Sequence, residues 1–128
     1  MKILQFVIIF SIISMKISER LIMGWVSYPK IEAARVLAKL LITKKLAGCT
    51  KIINNMESFY EWEGKLEEDN EVYVIIKSTE NMVPEIQKTI KENHPNQVFE
   101  FIYTLIEGGN QDYLDWVRKA TGNNKLDI

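Results

Sequence analysis

An α+β domain built on one antiparallel sheet is the fold class this sequence predicts, and three observations carry it. Val72, Val74 and Ile76 alternate with Tyr73, Ile75 and Lys77, the period of a strand. Phe99, Phe101, Tyr103 and Leu105 repeat that alternation further on. Ala33, Val36, Leu37, Leu40 and Leu41 instead recur at the spacing of one helical face. Within residues 58–77, Gly64 and the polar run from Glu67 to Asn70 can reverse the chain. That stretch is therefore expected to form a long antiparallel hairpin with a helix on either side.

The elements follow in order. Leu21–Tyr28 is apolar and β-forming, the first strand. Pro29 suits the first position of a helix, where its missing N–H costs nothing. Glu32 near the start and Lys44 and Lys45 near the end complement the helix dipole. With Gly48 as the residue after its end, this helix should span residues 29–47. The second strand is expected at residues 49–60, with a bulge or bend at Asn54 and Asn55, and the third at residues 65–78. Thr79 or Asn81 should cap a second helix that buries Val83, Ile86 and Ile90. His94-Pro95 stops it, because the residue before proline avoids helical angles. Residues 98–107 make a fourth strand, ended by Gly108-Gly109. Asn110 then caps a third helix in which Tyr113, Trp116, Val117 and Ala120 share one face and Gly122 marks the end.

The order β-α-β-β-α-β is the split βαβ, ferredoxin-like plan, with two helices covering one face of a four-stranded antiparallel sheet and an added C-terminal helix. The other sheet face would expose half of the large strand residues unless something covers it. Self-association is the simplest cover for a single chain of this size.

Composition narrows the function classes. A chain of 128 residues suggests one domain, here residues 20–122, between a leader at 1–19 and a polar tail at 123–128. Sixteen basic and seventeen acidic residues give a formal charge of −1, which argues against broad capture of nucleic acid through its phosphates. Cys49 is the single cysteine, so no intramolecular disulfide forms, and a core role is expected for it. The sequence contains no phosphate-binding glycine loop and no nucleophile elbow.

Residues 1–19 begin with Lys2 and an apolar run too short to cross a bilayer. They suit either a secretory signal or a retained extra strand. A signal would make the protein secretory, and a retained strand would make it cytoplasmic. Membrane association is expected only if this segment is an anchor or signal.

Several residue groups resemble one family. They are Leu46-Ala47-Gly48-Cys49, Trp62-Glu63-Gly64-Lys65 followed by Glu71-Val72 and Lys77, His94-Pro95 with Glu100, and residues 109–117 (Gly-Asn-Gln-Asp-Tyr-Leu-Asp-Trp-Val). Together they resemble the CutA family of divalent-cation tolerance proteins over roughly residues 21–122. The resemblance implies a ferredoxin-like subunit in a tight PII-like homotrimer and a role linked to copper and other divalent cations. It implies His94 and Glu100 as metal ligands and no organic cofactor. Val26 stands where some relatives carry a cysteine proposed to bind copper, and Asn93 where some carry a second histidine. Only weak metal binding is expected here.

His94, the one histidine, can be a copper or zinc ligand or a structural bridge from a helix end to a loop. Trp62, Glu63 and Lys65 are placed on the hairpin, and Tyr113 and Trp116 on the third helix. These five are expected at a subunit boundary or around a cleft between subunits. The acidic run Glu67, Glu68 and Asp69 fits an exposed hairpin tip able to capture cations weakly. The leading expectation is a binding or signalling protein. The alternative is an enzyme or small-ligand sensor using His94, Glu100 and Lys65 in the cleft. An RNA-recognition role is set aside, because the third strand lacks the Gly-Phe-aromatic pattern.

Overall fold

The computed structural model describes residues 20–122; the leader and tail expectations fall outside that range. Four strands and three helices follow in the expected order: β1 (Leu21–Tyr28), α1 (Ile31–Thr43), β2 (Cys49–Trp62), β3 (Lys65–Thr79), a 3-10 turn (Glu80–Met82), α2 (Val83–Asn93), β4 (Phe101–Leu105) and α3 (Gln111–Ala120). The sheet runs β2-β3-β1-β4, with every neighbouring pair antiparallel. Among the described residues no helix is long and apolar enough to cross a membrane.

The main core lies between one sheet face and the helices α1 and α2. Val26, Tyr28, Val72, Val74 and Ile76 meet Leu37, Leu41, Ile86 and Ile90 there. Each fully buried Leu or Ile contributes about 1.5–3 kcal/mol by leaving water. Strand alternation sends Leu21, Met23 and Trp25 of β1 to the opposite face, with Tyr73, Ile75 and Lys77 of β3. Leu114 and Val117 of α3 pack on Leu21 at one end of that face. The rest of it keeps Met23, Trp25, Tyr73 and Ile75 only half-buried and leaves Ile53 and Ile102 46% and 55% exposed.

The hairpin is longer and tighter than expected. β2 continues to Trp62, and Trp62 pairs with Lys65 across a two-residue loop. Glu63 and Gly64 both have positive φ, 51° and 79°, as the hairpin turn that matches strand twist requires. The polar run Glu67 to Asn70 is therefore not a turn but paired strand, opposite Tyr60, Phe59, Ser58 and Glu57. The bulge at Asn54 and Asn55 is present: the register shifts between Ile53 and Met56, and Asn55 has φ 59°.

The helix ends and faces also differ from expectation. α1 begins after Pro29, with Lys30 as an extended N-cap, and ends at Thr43 rather than near Ala47. Lys45 turns the chain at φ 57°, so Lys44 and Lys45 lie beyond the last turn. Gly48 serves close packing instead: a Cβ there would stand 2.7 Å from the Val117 carbonyl oxygen. α1 buries Ala34, Leu37, Ala38 and Leu41, whereas Val36 is 57% exposed. A 3-10 turn precedes α2 with Thr79 at its N-cap position, but no side chain caps it: the Thr79 hydroxyl donates to Asn81 Oδ1, and the N-cap of α2 itself is Met82. β4 is shorter than the alternation suggested, since Val98, Phe99 and Glu100 belong to the preceding loop. Asn110 does cap α3, its Oδ1 accepting from the Tyr113 N–H at 3.2 Å. The buried face of α3 is Leu114 and Val117, and Tyr113 and Trp116 point outwards.

Candidate functional site

His94 is the C-cap of α2, in the extended conformation that Pro95 imposes on it. The ring is stacked between Tyr28, at 4.5 Å between centroids, and Phe99, at 5.2 Å. Nδ1 accepts from the Asn96 N–H at 3.1 Å, so the proton sits on Nε2 and is donated to the Ser27 carbonyl at 2.7 Å. His94 thus ties the end of α2 to β1 and shapes the loop leading into β4. A metal-ligand role requires giving up one of these two hydrogen bonds.

That loop forms one wall of a cleft of about 790 Å³. Residues 94–98 and Glu100 line it on one side, Ser27 lies at its floor, and Tyr60, Trp62, Glu67 and Glu71 come from the hairpin. Alternation along β3 puts Glu67, Asp69, Glu71 and Tyr73 on one face, continuous with the bare face of the sheet. The Tyr73 hydroxyl donates to Glu100, and that bond chiefly pushes the Tyr73 phenol up to about 12. Tyr60 donates to Asp69 and is likewise pushed up to about 12. Tyr28, fully buried beneath His94, is raised to about 12 by desolvation, and its hydroxyl has no hydrogen-bond partner among the described residues. Glu67 and Glu71 are half-buried and likewise make no ion pair or hydrogen bond among the described residues.

The fold brings Trp62, Glu67, His94 and Glu100 into one cleft and leaves Glu63, Lys65, Tyr113 and Trp116 outside its lining. Glu63 sits in the hairpin loop, and Lys65 is exposed beside it. Tyr113 and Trp116 stack on the outside of α3 with centroids 6.0 Å apart. The Lys77 ammonium donates to the Tyr113 hydroxyl at 2.9 Å and lies 4.9 Å from its ring centroid. Cys49 is half-buried opposite Lys77. Among the described residues no three His, Cys, Asp or Glu side chains gather closely enough to hold a metal ion. Sequence reasoning missed Tyr60 and Glu71 as cleft residues. The signal for Glu71 is its even spacing from Glu67, four residues away, which sets both on one strand face.

The family model described as CutA1 divalent ion tolerance protein matches residues 22–120. The divalent-cation tolerance protein CutA of Thermus thermophilus is 37% identical over 97 residues, covering 76% of this chain and 94% of that protein. The human protein CutA is 39% identical over 98 residues, covering 77% of this chain. The match takes in only 55% of the human protein, so this chain corresponds to about half of its length. Among solved structures, CutA1 from Oryza sativa superposes with a TM-score of 0.78 at 38% identity, covering 82% of this chain and 96% of that one. The Thermus thermophilus structure gives 0.77 at 35% identity, covering 80% and 99%.

Proposed function

Because this chain belongs to the CutA1 divalent ion tolerance family, we propose that it is a divalent-cation tolerance protein that binds and responds rather than catalyses. The observation that carries this reading is the state of the cleft's polar groups. His94 has both ring nitrogens committed to the backbone, and Glu100 is held by Tyr73. Ser27, the one serine, threonine or cysteine in its lining, makes no side-chain hydrogen bond to a base among the described residues, as activation of such a nucleophile needs. Carboxylates and one imidazole suit copper or another divalent cation. An ion taking His94 as a ligand must displace one of the ring's two hydrogen bonds, and at Glu100 it finds one oxygen already accepting from Tyr73, which makes its binding weak.

The working form is a homotrimer in this proposal. Met23, Trp25, Ile53, Tyr73, Ile75 and Ile102 form an apolar face too extensive for a monomer to leave in water. Closing it between copies sets the cleft, which continues that face, at a subunit boundary. Growth under copper stress tests the function: cells lacking this protein should become copper-sensitive, the wild-type chain should restore them, and His94→Ala should not. Full rescue by His94→Ala would remove His94 from the function.

A further inference from the structure

The cleft carries charge that its own lining does not balance. Glu67, Glu71 and Glu100 face it, and no lysine or arginine is among its lining residues. Glu67 and Glu71 are half-buried without an ion pair among the described residues, so two carboxylates face the cleft with no cation beside them. Beside them Trp62 and Tyr60, 60% and 42% exposed, present aromatic rings to the same space. Carboxylates next to an indole and a phenol ring are the surroundings an organic ammonium group favours, through charge-assisted hydrogen bonds and cation–π attraction.

Spacing narrows the ligand. Glu67 and Glu71 are four residues apart on one strand, about 13 Å along its axis. A single metal ion or ammonium cannot touch both. A flexible chain with an ammonium at each end can, with one end beside Trp62 and Glu67 and the other between Glu71 and Glu100. The cleft's volume of about 790 Å³ lies in the range of small-molecule sites. We propose that the cleft binds a linear di- or polyamine, held at its ends by Glu67 and Glu71 and along one side by Trp62. This rests on the reading of the cleft as the protein's binding site.

Calorimetric titration of the full chain with spermidine, putrescine and magnesium tests it, with copper titrated into the same preparations. Spermidine should bind saturably and more tightly than magnesium, with a shift in tryptophan fluorescence. Glu67→Gln and Glu71→Gln should each weaken it by about tenfold, the effect of one lost charge-assisted hydrogen bond. Trp62→Phe should weaken it less, since a ring remains. Absence of saturable spermidine binding would overturn the proposal. So would magnesium binding as tightly as spermidine, or affinity unchanged in both glutamine variants. Copper binding without spermidine binding sinks the polyamine and leaves the cleft as a metal site. Neither ligand binding sinks both.

Discussion

The imidazole Nε2 of His94 lies 2.7 Å from the carbonyl oxygen of Ser27, joining the end of α2 to the end of β1 across 67 residues of sequence. With the second bond from Asn96 and the stacking of Tyr28 and Phe99, one side chain fixes the wall of the cleft.

His94→Ala is therefore expected to loosen the loop as well as remove a ligand. Two hydrogen bonds and two ring contacts are lost, about 2–3 kcal/mol in all. Denaturant unfolding should show that loss, and hydrogen exchange at the Asn96 amide should quicken while the amides of α1 stay protected. Unchanged exchange at Asn96 would mean the ring does not hold the loop.

Sedimentation equilibrium should find a trimer at micromolar concentration. Trp62 is 60% exposed on the isolated subunit, so Trp62→Ala should change subunit stability by no more than about 0.5 kcal/mol. Its effect should fall on assembly, as a shift towards monomer, because a rigid aromatic side chain is a strong interface anchor. A variant that stays trimeric with the wild-type melting temperature would assign Trp62 to the ligand alone.

Gly48→Ala should be costly despite its mild chemistry. The added methyl would stand 2.7 Å from the Val117 carbonyl and 3.1 Å from its Cγ1, so α3 must move off Leu21. Overpacking of this kind costs about 1–3 kcal/mol. A melting temperature equal to the wild type's would show that α3 yields freely.

Tyr28→Phe should leave stability equal or raise it by about 1 kcal/mol at neutral pH, since it removes a buried hydroxyl without a partner. The sign of the pH dependence follows from the raised pKa. The folded protein favours the neutral phenol, so this contribution is complete below pH 10 and is lost as pH climbs from 10 towards 12. Denaturation across that range should be shallower for Tyr28→Phe. Equal alkaline slopes would mean Tyr28 ionises as an exposed tyrosine does.

Much of this was legible from local chemistry. β1 spans the residues its apolar run marks, Asn110 caps where its side chain allows, and His94-Pro95 ends α2 as proline sterics require. The faces of α1 and α3 were not legible. Val36 and Leu37, or Trp116 and Val117, are equally apolar neighbours, and only docking on the sheet decides which is buried. The start of β4 was hidden because His94, Phe99 and Ser27, distant in sequence, hold residues 94–100 as a loop. The cleft combines that loop with the hairpin, and its register on β3 could be placed only once the two-residue turn at Glu63-Gly64 was known.

Copper titration of the full chain, followed by calorimetry, tests the central claim most directly. The account predicts saturable but weak binding in the wild type and loss of most of it in both His94→Ala and Glu100→Gln. No measurable copper binding, or an affinity that both variants leave unchanged, would contradict it.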